Sequence, residues 1–145
     1  MGLRAGLTEI TPDAFDKVAA GGDPDLTGGE HYSIDKAWDD FHVIFAAKGP
    51  PLSLAISGDC RHPQSPHTLG EFCEGKHDYY LGFASPRLVK EIAKELSTVT
   101  DFQFSQWCEQ GGKGQYICAA TLFPDLKMAY TNAASRGNAL VIVIC

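Results

Sequence analysis

Apolar residues recur along this chain at two periods, close to two and close to 3.6, and the switching between them predicts a mixture of strands and helices. From Leu3 to Ile10 they alternate loosely, which predicts a first strand, with Gly2 and Gly6 allowing a bend or close backbone approach. Thr11-Pro12-Asp13 then opens a helix with a capping hydroxyl, a proline in the first turn and an early acid. Ala14, Phe15 and Val18 form its inward face, and it runs to about Ala20, where Gly21-Gly22 stop it. The following GGDPDLTGGEH is turn chemistry throughout and predicts a surface loop, with a lid as the alternative.

The stretch Ser33 to Phe45, SIDKAWDDFHVIF, predicts the helix around which the rest is organised. Ile34, Trp38, Phe41 and Phe45 fall at three- and four-residue steps, so one stripe faces the interior. Ser33 is expected to cap the first turn, with Asp35 at the positive end of the helix dipole. His42 shares the face of Trp38, and Lys36 sits at the edge of the stripe. Lys36, Trp38 and His42 are therefore the candidate binding residues: a stacking ring with two groups able to carry positive charge fits an anionic or aromatic ligand. The plainer reading makes His42 a buried imidazole satisfied by a backbone carbonyl, Trp38 core bulk and Lys36 a solvated flank.

Gly49-Pro50-Pro51 ends that helix, and Leu52 to Ile56 is too short to assign to strand or helix. Gly58 to Asp78 is polar and irregular. Tyr79 to Phe83 predicts a strand, and Ser85-Pro86 opens a helix with Leu88, Ile92 and Leu96 inward and Lys90, Glu91, Lys94 and Glu95 in solvent. Phe102, Phe104 and Trp107 are expected to pin a connecting segment, and GGKGQ breaks the chain. Another helix is expected from near Leu122, with Pro124 in its first turn, Leu126, Ala129, Tyr130 and Ala133 inward, and Arg136-Gly137 at its close. Ala139 to Cys145 is apolar without alternation, as a central strand covered on both faces must be.

These elements predict a single α+β domain over residues 1–145, a mixed sheet packed by about four helices. The length of 145 residues supports one ordinary core, and 44% hydrophobic with 21% charged residues sets aside disordered and fibrous classes. No apolar run has membrane-spanning length, and the amino end lacks the apolar core of a secretion signal, so the expected setting is the cytoplasm. A net charge of −6 without a Lys/Arg cluster opposes a phosphate backbone, so nucleic acid is not expected as a partner and a basic protein surface is.

Cys60, His62, His67, Cys73 and His77 supply enough thiolate and imidazole donors for zinc, yet no Cys-x-x-Cys pair or paired histidine motif orders them. No metal or cofactor is therefore assigned. No Gly-x-Ser-x-Gly elbow is present, and the adjacent Asp39 and Asp40 diverge on a helix. No catalytic residue is assigned either.

With these residues laid out, the chain resembles the YfbM-like family of small bacterial domains of unknown function. The resemblance rests on the amino-terminal Met-Gly and strand, on Ile34-Asp35-Lys36, Trp38 and His42 before Pro51-Leu52 and Gly58, on Leu81-Gly82-Phe83, and on Tyr130 with Arg136-Gly137-Asn138 before an apolar strand. The sequence departs from that outline between Cys60 and His77 and between Trp107 and Gln115. The resemblance implies a compact α+β domain and no accepted activity; by similarity, partner binding, including neutralisation of a toxin encoded nearby, is the role it implies. The resulting expectation is a non-enzymatic binding or immunity-type protein. The alternatives are a small hydrolase or transferase using His42 and Lys36, or a zinc site in the Cys60 to His77 loop.

Overall fold

The apolar run at the carboxyl end forms β5, Ala139–Ile144, at the centre of a five-stranded sheet. The fold is taken from a computed structural model that describes residues 3–63, 65, 67–75, 79–110 and 117–145, with only the backbone of 117 and 118. The strand order is β2-β1-β5-β4-β3, where β1 is Ala5–Ile10, β2 His31–Asp35, β3 Cys60–Arg61 and β4 Tyr80–Ala84. β5 begins beside the ends of both neighbours, Ile10 opposite Ala139 and Ala84 opposite Leu140, so both run against it. The α+β class is borne out, and every described pairing is antiparallel where a mixed sheet was expected.

The sheet is covered on two faces, which is why β5 carries no polar positions. Leu140, Ile142 and Ile144 join a large cluster with α2 (Trp38–Ala46), α4 (Pro86–Ser97), α5 (Asp101–Gln110) and α6 (Ile117–Ser135). Ala139, Val141 and Val143 face a smaller cluster built with Phe15 and Val18 of α1 (Pro12–Ala19). Burying each such valine, leucine or isoleucine is worth about 1.5–3 kcal/mol before entropy is subtracted.

Three of the expected helix signals act as read. The Ala14 N–H donates to the Thr11 hydroxyl at the start of α1, and the Leu88 N–H donates to the Ser85 hydroxyl at the start of α4. Gly137 follows α6 at φ +70°, a left-handed position that glycine occupies without strain.

Other expectations are corrected. Ser33 and Ile34 belong to β2, and α2 begins only at Trp38, with no side-chain cap. Asp35, at φ +44°, is left-handed, and a single helix cannot run through it. Ile34 is buried all the same, because the inner face of β2 turns it into the cluster that receives Phe41 and Phe45. Leu52–Leu54 is a short 3-10 turn. The Phe102 to Trp107 segment is a full helix, α5, in which Phe104 stacks on Phe123 at 4.2 Å while Phe102 is 73% exposed and pins nothing. Helix α6 starts at Ile117, which places Pro124 inside it. With α3 (Leu69–Glu74) this makes six α-helices among the described residues.

Candidate functional site

Glu9 is a carboxylate set in an otherwise apolar strand end, only 5% exposed. A buried charge of this kind is tolerable only with directed partners. Arg136, just beyond the end of α6, donates from Nε and Nη2 to the two oxygens of Glu9, each at 2.7 Å. Asn138 adds a third donor at 2.5 Å as the chain enters β5. The Arg136 hydrogen bonds outweigh the opposing effect of burial, and with Asn138 they hold the Glu9 carboxyl below its ordinary range.

The network continues outward. Arg136 Nη2 lies 3.3 Å from a Glu30 oxygen, the Tyr32 hydroxyl donates to that same carboxylate, and Asn132 Nδ2 donates to Tyr32 at 2.7 Å. Burial, with Glu30 beside it, pushes the Tyr32 phenol up, so this hydroxyl stays protonated as a donor. Glu9, Glu30, Arg136 and Asn138 of this network open onto a cavity of about 510 Å³, walled also by Asp25 and Thr11. The Thr27 hydroxyl and N–H hold Asp25 ionised. Two carboxylates, Glu9 and Glu30, thus meet one guanidinium, and a third, Asp25, lines the same cavity.

That arrangement has a chemical consequence. A general base works best with a pKa near the working pH, and Glu9 is displaced the other way and already accepts three hydrogen bonds. Glu30 and Asp25 add two further carboxylates to the cavity wall, which suits reception of a cation.

The residues expected from sequence lie elsewhere. Lys36 is exposed in the turn between β2 and α2, not on the helix. Trp38 is buried, donates its indole N–H to the Leu3 carbonyl at 3.0 Å and packs on Phe72, so its ring and its N–H are both engaged. His42 is half-buried on α2, and its Nδ1 is enclosed with no hydrogen-bond partner among the described residues, contrary to the expected carbonyl contact. Desolvation pushes its pKa down. None of the three lines any of the three cavities described in this molecule.

The histidine- and cysteine-rich loop is also dispersed. His62 is the buried imidazole with a carbonyl partner: its Nε2 is 2.9 Å from the Gly22 oxygen. Cys60 is half-buried in β3, Cys73 is exposed on α3, and His67 sits 3.7 Å from Glu71. His77 lies outside the described residues, and among those described no cluster of three or more His, Cys, Asp or Glu could hold a metal ion.

No family model and no curated protein sequence matches the chain. Among solved structures it is similar to the protein of unknown function YfbM from Escherichia coli, over 98% of this chain and 99% of that one, with a TM-score of 0.67 and 19% identity. The chain has the YfbM fold. The resemblance read from Ile34-Asp35-Lys36 and from Arg136-Gly137-Asn138 is borne out at that level. In this YfbM fold the second of those stretches is the α6–β5 junction, so Arg136 and Asn138 are two walls of the cleft. In the sequence Arg136 reads only as a helix end, and Glu9 is passed over. The signal present there is a lone carboxylate between Thr8 and Ile10 in a mainly apolar strand.

Among the described residues no helix is long and apolar enough to cross a membrane.

Proposed function

We propose that this chain is a non-enzymatic cytosolic protein of binding or immunity type, which receives a basic segment of a protein partner in the cleft around Glu9 and Arg136. The observation that carries the reading is the charge of that cleft: Asp25, Glu30 and Glu9 against Arg136, with Glu9 neutralised internally and the other two facing the cavity. The net charge of −6 extends the same sign beyond the cleft and favours encounter with a positive surface.

The test is calorimetric titration with a lysine- and arginine-rich peptide and with a glutamate-rich peptide of equal length. The basic peptide binds, the acidic one does not, and affinity falls as salt is raised. The double variant D25N/E30Q weakens binding by about tenfold or more, as expected for the loss of two charge-assisted contacts. A basic peptide that fails to bind, or that binds the variant equally well, contradicts the proposal.

A further inference from the structure

The segment between α1 and β2 differs from the rest of the described chain in how it is held. Among the described residues, 23–29 make no backbone hydrogen bond to any other segment; the bonds within the stretch run from the Thr27 N–H and hydroxyl to Asp25. Five of these seven residues are exposed, and only Pro24 and Leu26 are half-buried. Leu26 alone packs against the smaller apolar cluster.

Its two ends, in contrast, are fixed. The Gly22 N–H donates to the Lys17 carbonyl, and the Gly22 carbonyl is held by His62. At the other end the Glu30 carbonyl accepts the Glu9 N–H, and the Glu30 side chain is held by Arg136 and Tyr32. Free energies of local opening are smallest where buried apolar contacts and backbone hydrogen bonds are fewest. By that criterion the middle of this segment opens more readily than its two ends.

What lies beneath it gives the weakness a use. On one side is the 510 Å³ cavity, reaching Ile10; on the other is a cavity of about 370 Å³ lined by Leu26, Gly6, His31 and Val143. Thr8 on β1 forms part of the wall of this second cavity, on the side toward the first, yet is only 2% exposed; it is bonded to His31 at 2.9 Å and approached by Gly29. We infer that residues 23–29 are a lid that lifts off β1 with both ends held, uncovers Thr8 and joins the two cavities into one groove across β1. The inference concerns the chain alone and does not depend on what the cleft binds.

Thiol labelling tests it. In a Thr8→Cys variant, the rate of modification at position 8 is read by peptide mass spectrometry against buried Cys108, whose reaction reports unfolding of the core. Lid opening predicts that position 8 reacts far faster than Cys108, with a weaker dependence on urea. It also predicts that adding Leu26→Ala speeds position 8 about tenfold while leaving Cys108 nearly unchanged. Equal rates and equal urea dependence at the two thiols overturn the lid, and so does a position-8 rate indifferent to Leu26→Ala. Should Thr8→Cys fail to fold, relaxation dispersion on the Leu26 and Thr8 methyls of the unmodified protein decides it. Shared exchange on the microsecond-to-millisecond scale supports the lid, and flat profiles at both overturn it.

Discussion

Arg136 and Glu9 stand 127 residues apart in sequence and share two hydrogen bonds of 2.7 Å, one to each carboxylate oxygen. This fork joins the end of α6 to the end of β1 beside the entry into β5. It also lines the 510 Å³ cleft, where the charge it neutralises would otherwise lie buried alone.

Breaking one side of that pair is therefore costly. Arg136→Ala is expected to lower stability, because it leaves the Glu9 carboxylate buried without its main partner, although the arginine itself is half exposed. Arg136→Met combined with Glu9→Gln is expected to lose less than Arg136→Ala alone. Urea unfolding of the three proteins measures both.

The same pair predicts a pH dependence. Glu9 has a folded pKa below its ordinary value of 4.5, so its contribution is present above about pH 4.5 and is lost as pH falls through the folded value. The stability difference between the native chain and Glu9→Gln should shrink in that acid range and be constant near neutrality. Unfolding curves at a series of pH values check this, and a difference that grows on acidification contradicts it.

Two glycines with nearly equal backbone angles are expected to respond differently to a methyl group. Gly49 has φ +75° and open space within 4 Å of the position a Cβ would take, so Gly49→Ala costs only the strain of the left-handed region, about 1–2 kcal/mol. Gly58 has φ +73°, and its Cβ would stand 2.2 Å from the Phe83 carbonyl oxygen. Gly58→Ala must push β4 aside and should cost at least about 3 kcal/mol, measured as a larger fall in thermal midpoint.

His42 offers a test with the opposite sign. Its folded pKa is lowered by desolvation below the ordinary 6.5, so the unfolded chain takes up the proton first and stability falls as pH drops below about 6.5. Because its Nδ1 has no partner among the described residues, His42→Leu should leave stability at pH 7 within about 1 kcal/mol of the native value. It should also flatten the slope below pH 6.5. Denaturation at pH 5.5 and pH 7 checks both; an unchanged slope contradicts the burial argument.

Local signals are legible wherever the chemistry is local. Thr11-Pro12 and Ser85-Pro86 start helices because a hydroxyl and a ring-fixed φ act within one turn. The unbroken apolar run of β5 can only be central. The pattern misleads at Ile34, whose four-residue step to Trp38 imitates a helical stripe although one left-handed residue, Asp35, separates strand from helix. Helix α5 is hidden for a related reason: Phe104 and Cys108 face inward at a four-residue step, while the exposed Phe102 obscures the pattern. The cleft depends on pairing Glu9 with Arg136 and Asn138 across almost the whole chain, and no spacing rule carries that information.

The most direct test of the binding proposal is a two-dimensional amide spectrum of the labelled chain titrated with a lysine- and arginine-rich peptide. The account predicts saturable shifts concentrated at Asp25, Glu30, Arg136 and Asn138 that weaken as salt is added. Shifts centred instead on Lys36, Trp38 and His42, or none at saturating peptide, contradict it.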